Sequence, residues 1–144
     1  MTPRDWTLMT ISSGEGPLQP VQLQKSLFII SKKFDADKLK SSSFYPFDPY
    51  DYGPFCGEVY SDAERLEFEG LITITRPPIS RYRQYQITEK GRELAKSLKD
   101  RLDPEVKEYL ETIVNWTQSL TFNQLVSSIY AAFPEMKANS VFQG

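Results

Sequence analysis

Across one threonine, Thr88, the hydrophobic pattern of this chain changes from the alternation of a strand to the stepped spacing of a helix, which limits the folds open to it. Upstream, Leu71-Ile72-Thr73-Ile74-Thr75 is β-branched and strand-like. Arg76-Pro77-Pro78-Ile79-Ser80 interrupts it, and Arg81-Tyr82-Arg83-Gln84-Tyr85-Gln86-Ile87 alternates again. The pattern predicts a β-hairpin with a proline-containing loop. Downstream, Leu94, Leu98 and Leu102 line one side of a helix that Thr88 is placed to cap. The threonine oxygen satisfies free helix amides, and glycine in the first turn permits close packing against the strand.

The flanking segments read mainly as helices. A first helix is predicted over Arg4 to Ser13, with Trp6 and Met9 inward, ended by Gly14-Glu15-Gly16-Pro17. A second runs from Pro20 to Phe34, where Leu23, Leu27, Ile30 and Phe34 draw one apolar stripe and Lys25, Lys32 and Lys33 sit off it. Residues 35–53 read as an irregular link. Its aromatics, Phe44, Tyr45, Phe47, Tyr50 and Tyr52, are too many for a disordered linker and are expected to fold back over the core. Gly53-Pro54 is read as the start of a third helix reaching Glu69, with Phe55, Val59, Ala63 and Leu66 buried and Gly70 as its left-handed end. Asp103 is expected to cap a fifth helix from Pro104, with Val106, Leu110, Ile113 and Val114 inward. Thr121 and Gln124 form a capping box for a sixth, flanked by Leu120 and Leu125 at hydrophobic-staple spacing.

A chain of 144 residues fits one domain and buries roughly two-thirds of the surface its unfolded form exposes. Composition constrains chemistry more than fold. The chain has no histidine and one cysteine, Cys56, so Ser–His and Cys–His nucleophile pairs and the common zinc sites are excluded. The acidic residues sit among lysines where helical surfaces are expected. The expectation is no catalytic residue, no metal and no cofactor. No internal disulfide can form, no signal-peptide core is present near Met1, and Leu27 to Ile30 is far too short to span a membrane. The chain reads as soluble and cytoplasmic, with no membrane partner.

Helix, helix, helix, hairpin, helix is the order of a winged-helix domain. Tyr85-Gln86-Ile87-Thr88-Glu89-Lys90-Gly91-Arg92-Glu93-Leu94-Ala95 resembles the end of the wing in bacterial winged-helix regulators. The expected class is α+β, mainly helical: a winged helix-turn-helix core over 1–102 with one β-hairpin wing, and a two-helix extension over 103–144 packed on the core or at a dimer interface. Val21-Gln22-Leu23-Gln24-Lys25-Ser26-Leu27-Phe28, Tyr52-Gly53-Pro54-Phe55 and Val59-Tyr60 further resemble the Panacea (SocA-like antitoxin) domain. That resemblance implies a non-catalytic module, in some members a toxin's partner or a protease adaptor. The fully developed wing and the C-terminal helices depart from it. The residues alone read Tyr52-Gly53-Pro54 as a turn holding an aromatic on the core.

Charge divides the functional reading. Segment 71–92 has a net charge of +4 and segment 20–40 a net of +3, both suited to phosphate contacts. The third helix carries Glu58, Asp62, Glu64, Glu67 and Glu69 against Arg65 alone, a net of −4, and the whole chain is at −2. One expectation is therefore a DNA-binding transcriptional regulator whose wing meets double-stranded DNA. Arg76, Arg81, Arg83 and Lys90 would make its phosphate or groove contacts, with Arg65 and Tyr60 at bases. Arg81 and Arg83 share parity on the second wing strand, so they are expected on one face. The other is an antitoxin-like or adaptor module that meets a toxin or other protein through Glu58, Asp62, Glu67 and Tyr50. A homodimer through residues 104–133, which carry Trp116, Phe122, Ile129, Tyr130 and Phe133, is expected in either case.

Overall fold

The computed structural model describes residues 1–142, and its fold is α+β, mainly helical, with two small antiparallel hairpins. Helix α1 (Pro3–Ser12) begins at a capping box in which Thr2 accepts from the Asp5 amide and Asp5 accepts from that of Thr2. Trp6 and Met9 are fully buried, and the Trp6 indole N–H donates to the Leu39 carbonyl at 2.9 Å. Helix α2 (Pro20–Lys33) is buried without interruption from Gln22 to Ile30. It has no solvent face there because it lies between two apolar clusters. Leu23, Leu27 and Ile30 join the larger, with Trp6, Val59 and Val114, while Phe28 and Ile29 join the smaller, with Val126 and Ile129.

The predicted link 35–53 is ordered. It holds a one-turn helix α3 (Ala36–Leu39), capped by Asp35, and strand β1 (Asp48–Tyr50), which pairs with β2 (Gly53–Phe55). Tyr45 is buried beneath it, while Tyr50 and Tyr52 stay 55% and 45% exposed, so only part of the aromatic set folds back. The hairpin expected over 71–87 is thus not the sole one. Gly53 and Pro54 open no helix: Gly53 turns the chain at φ +100° and Pro54 faces Pro49 across the ladder. Two residues lacking N–H groups can share the rung that exchanges no N–H···O bonds. Helix α4 (Gly57–Phe68) starts later, after Cys56, with Val59, Ala63 and Leu66 inward as expected and Phe55 left in the strand.

The second hairpin pairs β3 (Ile72–Thr75) with β4 (Gln84–Ile87), and Leu18 adds a two-way backbone bridge to Tyr85 at 2.9 Å. Arg81, Tyr82 and Arg83 precede β4 and lie in the connecting loop, so the shared-face argument for the two arginines falls. Proline at 77 and 78 postpones the return strand because neither residue donates to a ladder. Helix α5 (Glu89–Lys99) is capped by Thr88, which accepts from Gly91 N–H at 3.0 Å. Its inward positions are Gly91, Ala95 and Leu98, followed by Leu102; Leu94, expected inside, is 39% exposed. The contact of Gly91 with the end of the hairpin decides which side faces in.

Helices α6 (Pro104–Ser119) and α7 (Phe122–Ala132) complete the chain before a 3-10 turn over Pro134–Lys137. Asp103 does not cap α6 through its side chain, because its carboxylate is taken by Lys38 at 3.1 Å and Lys40 at 3.8 Å. The Thr121–Gln124 capping box is present. Val106, Leu110 and Val114 close the larger cluster, while Leu125, Val126 and Ile129 build the smaller one on α2. No helix among the described residues is long and apolar enough to cross a membrane.

Candidate binding groove

Two neighbours on α2 hold the Gly53–Cys56 segment in place. The Gln24 amide pairs with the Cys56 backbone twice, donating to its carbonyl at 2.9 Å and accepting from its N–H at 3.0 Å, as a strand neighbour would. The Lys25 ammonium donates to the Pro54 carbonyl at 3.0 Å. Lys25, expected on the outside of its helix, is only 4% exposed; burial on all sides of α2 explains the difference. Desolvation pushes its pKa from 10.5 down to about 8. It takes part in no ion pair among the described residues, whereas Lys38 meets two carboxylates.

Lys25 lines the floor of a groove of about 320 Å³ between the first turn of α2, the β1–β2 turn and the start of α7. Aromatic rings supply its walls. Tyr50 stacks on Phe55 with centroids 5.1 Å apart, Phe55 meets the edge of Tyr60 at 5.6 Å, and Tyr52 meets Phe122 at 5.1 Å. A second trough, about 400 Å³, continues past Tyr82 and shares Pro20, Val21, Tyr52 and Phe122 with the first. Tyr60 is half-buried between Phe55 and the parallel ring of Tyr85, and burial pushes its phenol up to about 12. The result is an elongated, mostly apolar surface with one buried cation beneath it.

No family model, curated protein or solved structure matches the chain.

The arginines expected to meet DNA are largely committed within the chain. Arg76 holds both oxygens of Glu67 at 2.9 and 3.0 Å, and this bond draws the Glu67 carboxyl below its ordinary range. Arg83 lies 3.6 Å from Glu64, and Arg65 lies 3.5 Å from Asp62. Lys90 donates to the Glu69 carbonyl at 2.9 Å. Among the described residues Arg81 alone of this set has neither an ion pair nor a hydrogen-bond partner for its side chain; its guanidinium lies 5.5 Å from the Tyr82 ring centre. The net positive hairpin and the net negative α4 are thus two halves of one surface.

The alternative set is divided as well. Asp62 accepts from the Tyr45 hydroxyl at 2.6 Å, and Glu67 is held by Arg76, so both serve the fold. Glu58 is exposed in the first turn of α4, and Tyr50 stands on the groove wall. Sequence reasoning missed Gln24, Lys25, Tyr52, Phe55 and Phe122 as partners in one surface. What joins these segments is a pair of long-range contacts, Gln24 to Cys56 and Lys25 to Pro54, which no local pattern announces.

Proposed function

We propose that this chain is a non-catalytic protein-interaction module, of the antitoxin-like or adaptor kind, that seats a segment of a partner protein in the aromatic groove. The observation that carries this reading is the exposure of Tyr50, Tyr52 and Phe122 (55%, 45% and 42%) around one continuous apolar trough. Exposed aromatic clusters of this kind mark binding surfaces, because large rigid rings gain much contact area for little lost freedom. The winged-helix reading of the core is part of the proposal. The element order and the Leu18–Tyr85 bridge, which sets a third short strand beside the hairpin, support it.

Panning a random peptide library on the purified chain tests the function. Enriched peptides should bind at least about tenfold more weakly to a Tyr52→Ala/Phe122→Ala variant, whose altered side chains are exposed enough to leave the fold intact. Equal binding to both proteins, or no enrichment, would overturn the reading.

The DNA-binding regulator remains a second reading because Arg81 stands exposed in the hairpin loop, without an ion pair among the described residues. A homodimer through 104–133 would rest chiefly on Trp116, Phe122 and Phe133, since Ile129 and Tyr130 are buried in the smaller cluster.

A further inference from the structure

We propose that the groove recognises an acidic side chain, an aspartate or glutamate flanked by apolar residues on the partner segment, whose carboxylate reaches the ammonium of Lys25. The inference rests on the protein-interaction reading and names what the groove selects. An ammonium carries three N–H donors, and in this structure one of Lys25's finds the Pro54 carbonyl. The rest of the groove lining is apolar, aromatic or uncharged apart from Asp51, and Lys25 forms no ion pair with it or with any other described residue. A buried cation without a counter-ion is costly to keep, so its natural complement is an anion that arrives with the partner.

Geometry limits which anion arrives. The two troughs share Pro20, Val21, Tyr52 and Phe122, so a peptide backbone can lie along their rim at the exposed Tyr50, Asp51 and Tyr52. Lys25 is only 4% exposed and so lies below that rim, and a group that reaches it must project from the backbone by a few bonds. An acidic side chain does this, while the apolar residues beside it lie against Tyr52 and Phe122. Asp51, the acidic residue of the lining, is exposed at the rim, where water screens its repulsion. Once water is displaced, a charge-assisted N–H···O bond to Lys25 discriminates strongly against the neutral amide.

The test uses three short synthetic peptides on the full chain, followed by amide chemical shifts. The first is Phe-Glu-Phe with both ends capped, the second capped Phe-Gln-Phe, and the third Phe-Gln-Phe with a free C-terminus. The capped glutamate peptide should saturate shifts at Tyr52, Gly53, Phe55 and Tyr60, and the capped glutamine peptide should bind at least about tenfold more weakly. Lys25→Met should remove that preference, and Lys25→Arg should keep part of it. Equal binding of the two capped peptides overturns the carboxylate inference but leaves the groove reading standing. Preference for the free C-terminus overturns it in favour of a chain end. If none of the three binds while library peptides still occupy the groove, the inference alone falls. If library peptides fail too, both fall.

Discussion

Lys25 is the residue at which folding and the proposed function pull apart. Burial lowers its pKa to about 8, so between pH 8 and the ordinary value of 10.5 the unfolded chain holds a proton that the folded chain has released. Stability must then rise with pH across that window. The rise is on the order of 2 kcal/mol between pH 8 and 10, at about 1.4 kcal/mol per unit. Above pH 10 the sign reverses, because the unfolded phenols ionise while Tyr60, raised by burial to about 12, keeps its proton. Cys56, also raised by burial, begins to oppose the rise from its ordinary value of 9.0, whereas Lys99, lowered by burial, adds to it. The measurement that isolates Lys25 is therefore a difference: urea unfolding of wild type and Lys25→Met from pH 7 to 10. The variant should be the more stable at pH 7, by roughly 1–2 kcal/mol after the loss of the Pro54 bond, and the gap should close toward pH 10. A gap that stays constant with pH would show that the ammonium is not desolvated.

Among the elements, the passage from hairpin to helix was the most legible in the sequence, and Gly91 shows why. A Cβ there would lie 1.9 Å from the Leu71 carbonyl oxygen and 2.8 Å from the Ile87 side chain, so the position admits no side chain without moving backbone. Gly91→Ala should cost about 3 kcal/mol or more, read as a fall in the denaturation midpoint, whereas Gly→Ala in an open helix stabilises. The Thr88 cap, the Gly70 turn at φ +77° and the Thr121 box were equally readable, because each depends on neighbours in sequence. What could not be read depended on distant partners. Lys25 looks like a surface lysine until α7 is known to cover the other side of α2. Phe55 looks helical until Pro49 is known to lie opposite Pro54. Arg76 and Arg83 look like a basic wing until Glu67 and Glu64 are found beside them. That last pairing has a direct test. Glu64→Gln/Glu67→Gln should free both arginines and steepen the logarithmic salt dependence of duplex DNA binding by about two, while the unaltered chain binds duplex weakly. Strong, salt-sensitive binding by the unaltered chain, with no change in the double variant, would return the hairpin to the centre of the account.

At the scale of the molecule, α2 lies between two clusters, and its first turn and central residues meet the β1–β2 turn and α7 at one place. The helical pair, expected to pack on the core or at a dimer interface, builds one wall of the groove through Phe122. Function on this view depends on the C-terminal helices as much as on the hairpin. The most direct test is the amide-shift footprint of a library-selected peptide on the isotope-labelled chain. Saturable shifts should concentrate at Val21, Lys25, Tyr52, Gly53, Phe55 and Phe122. A footprint centred on Glu58 and Glu64 of α4, or on Ile113 and Trp116 of α6, with the Tyr52–Phe55 turn unmoved, would contradict it.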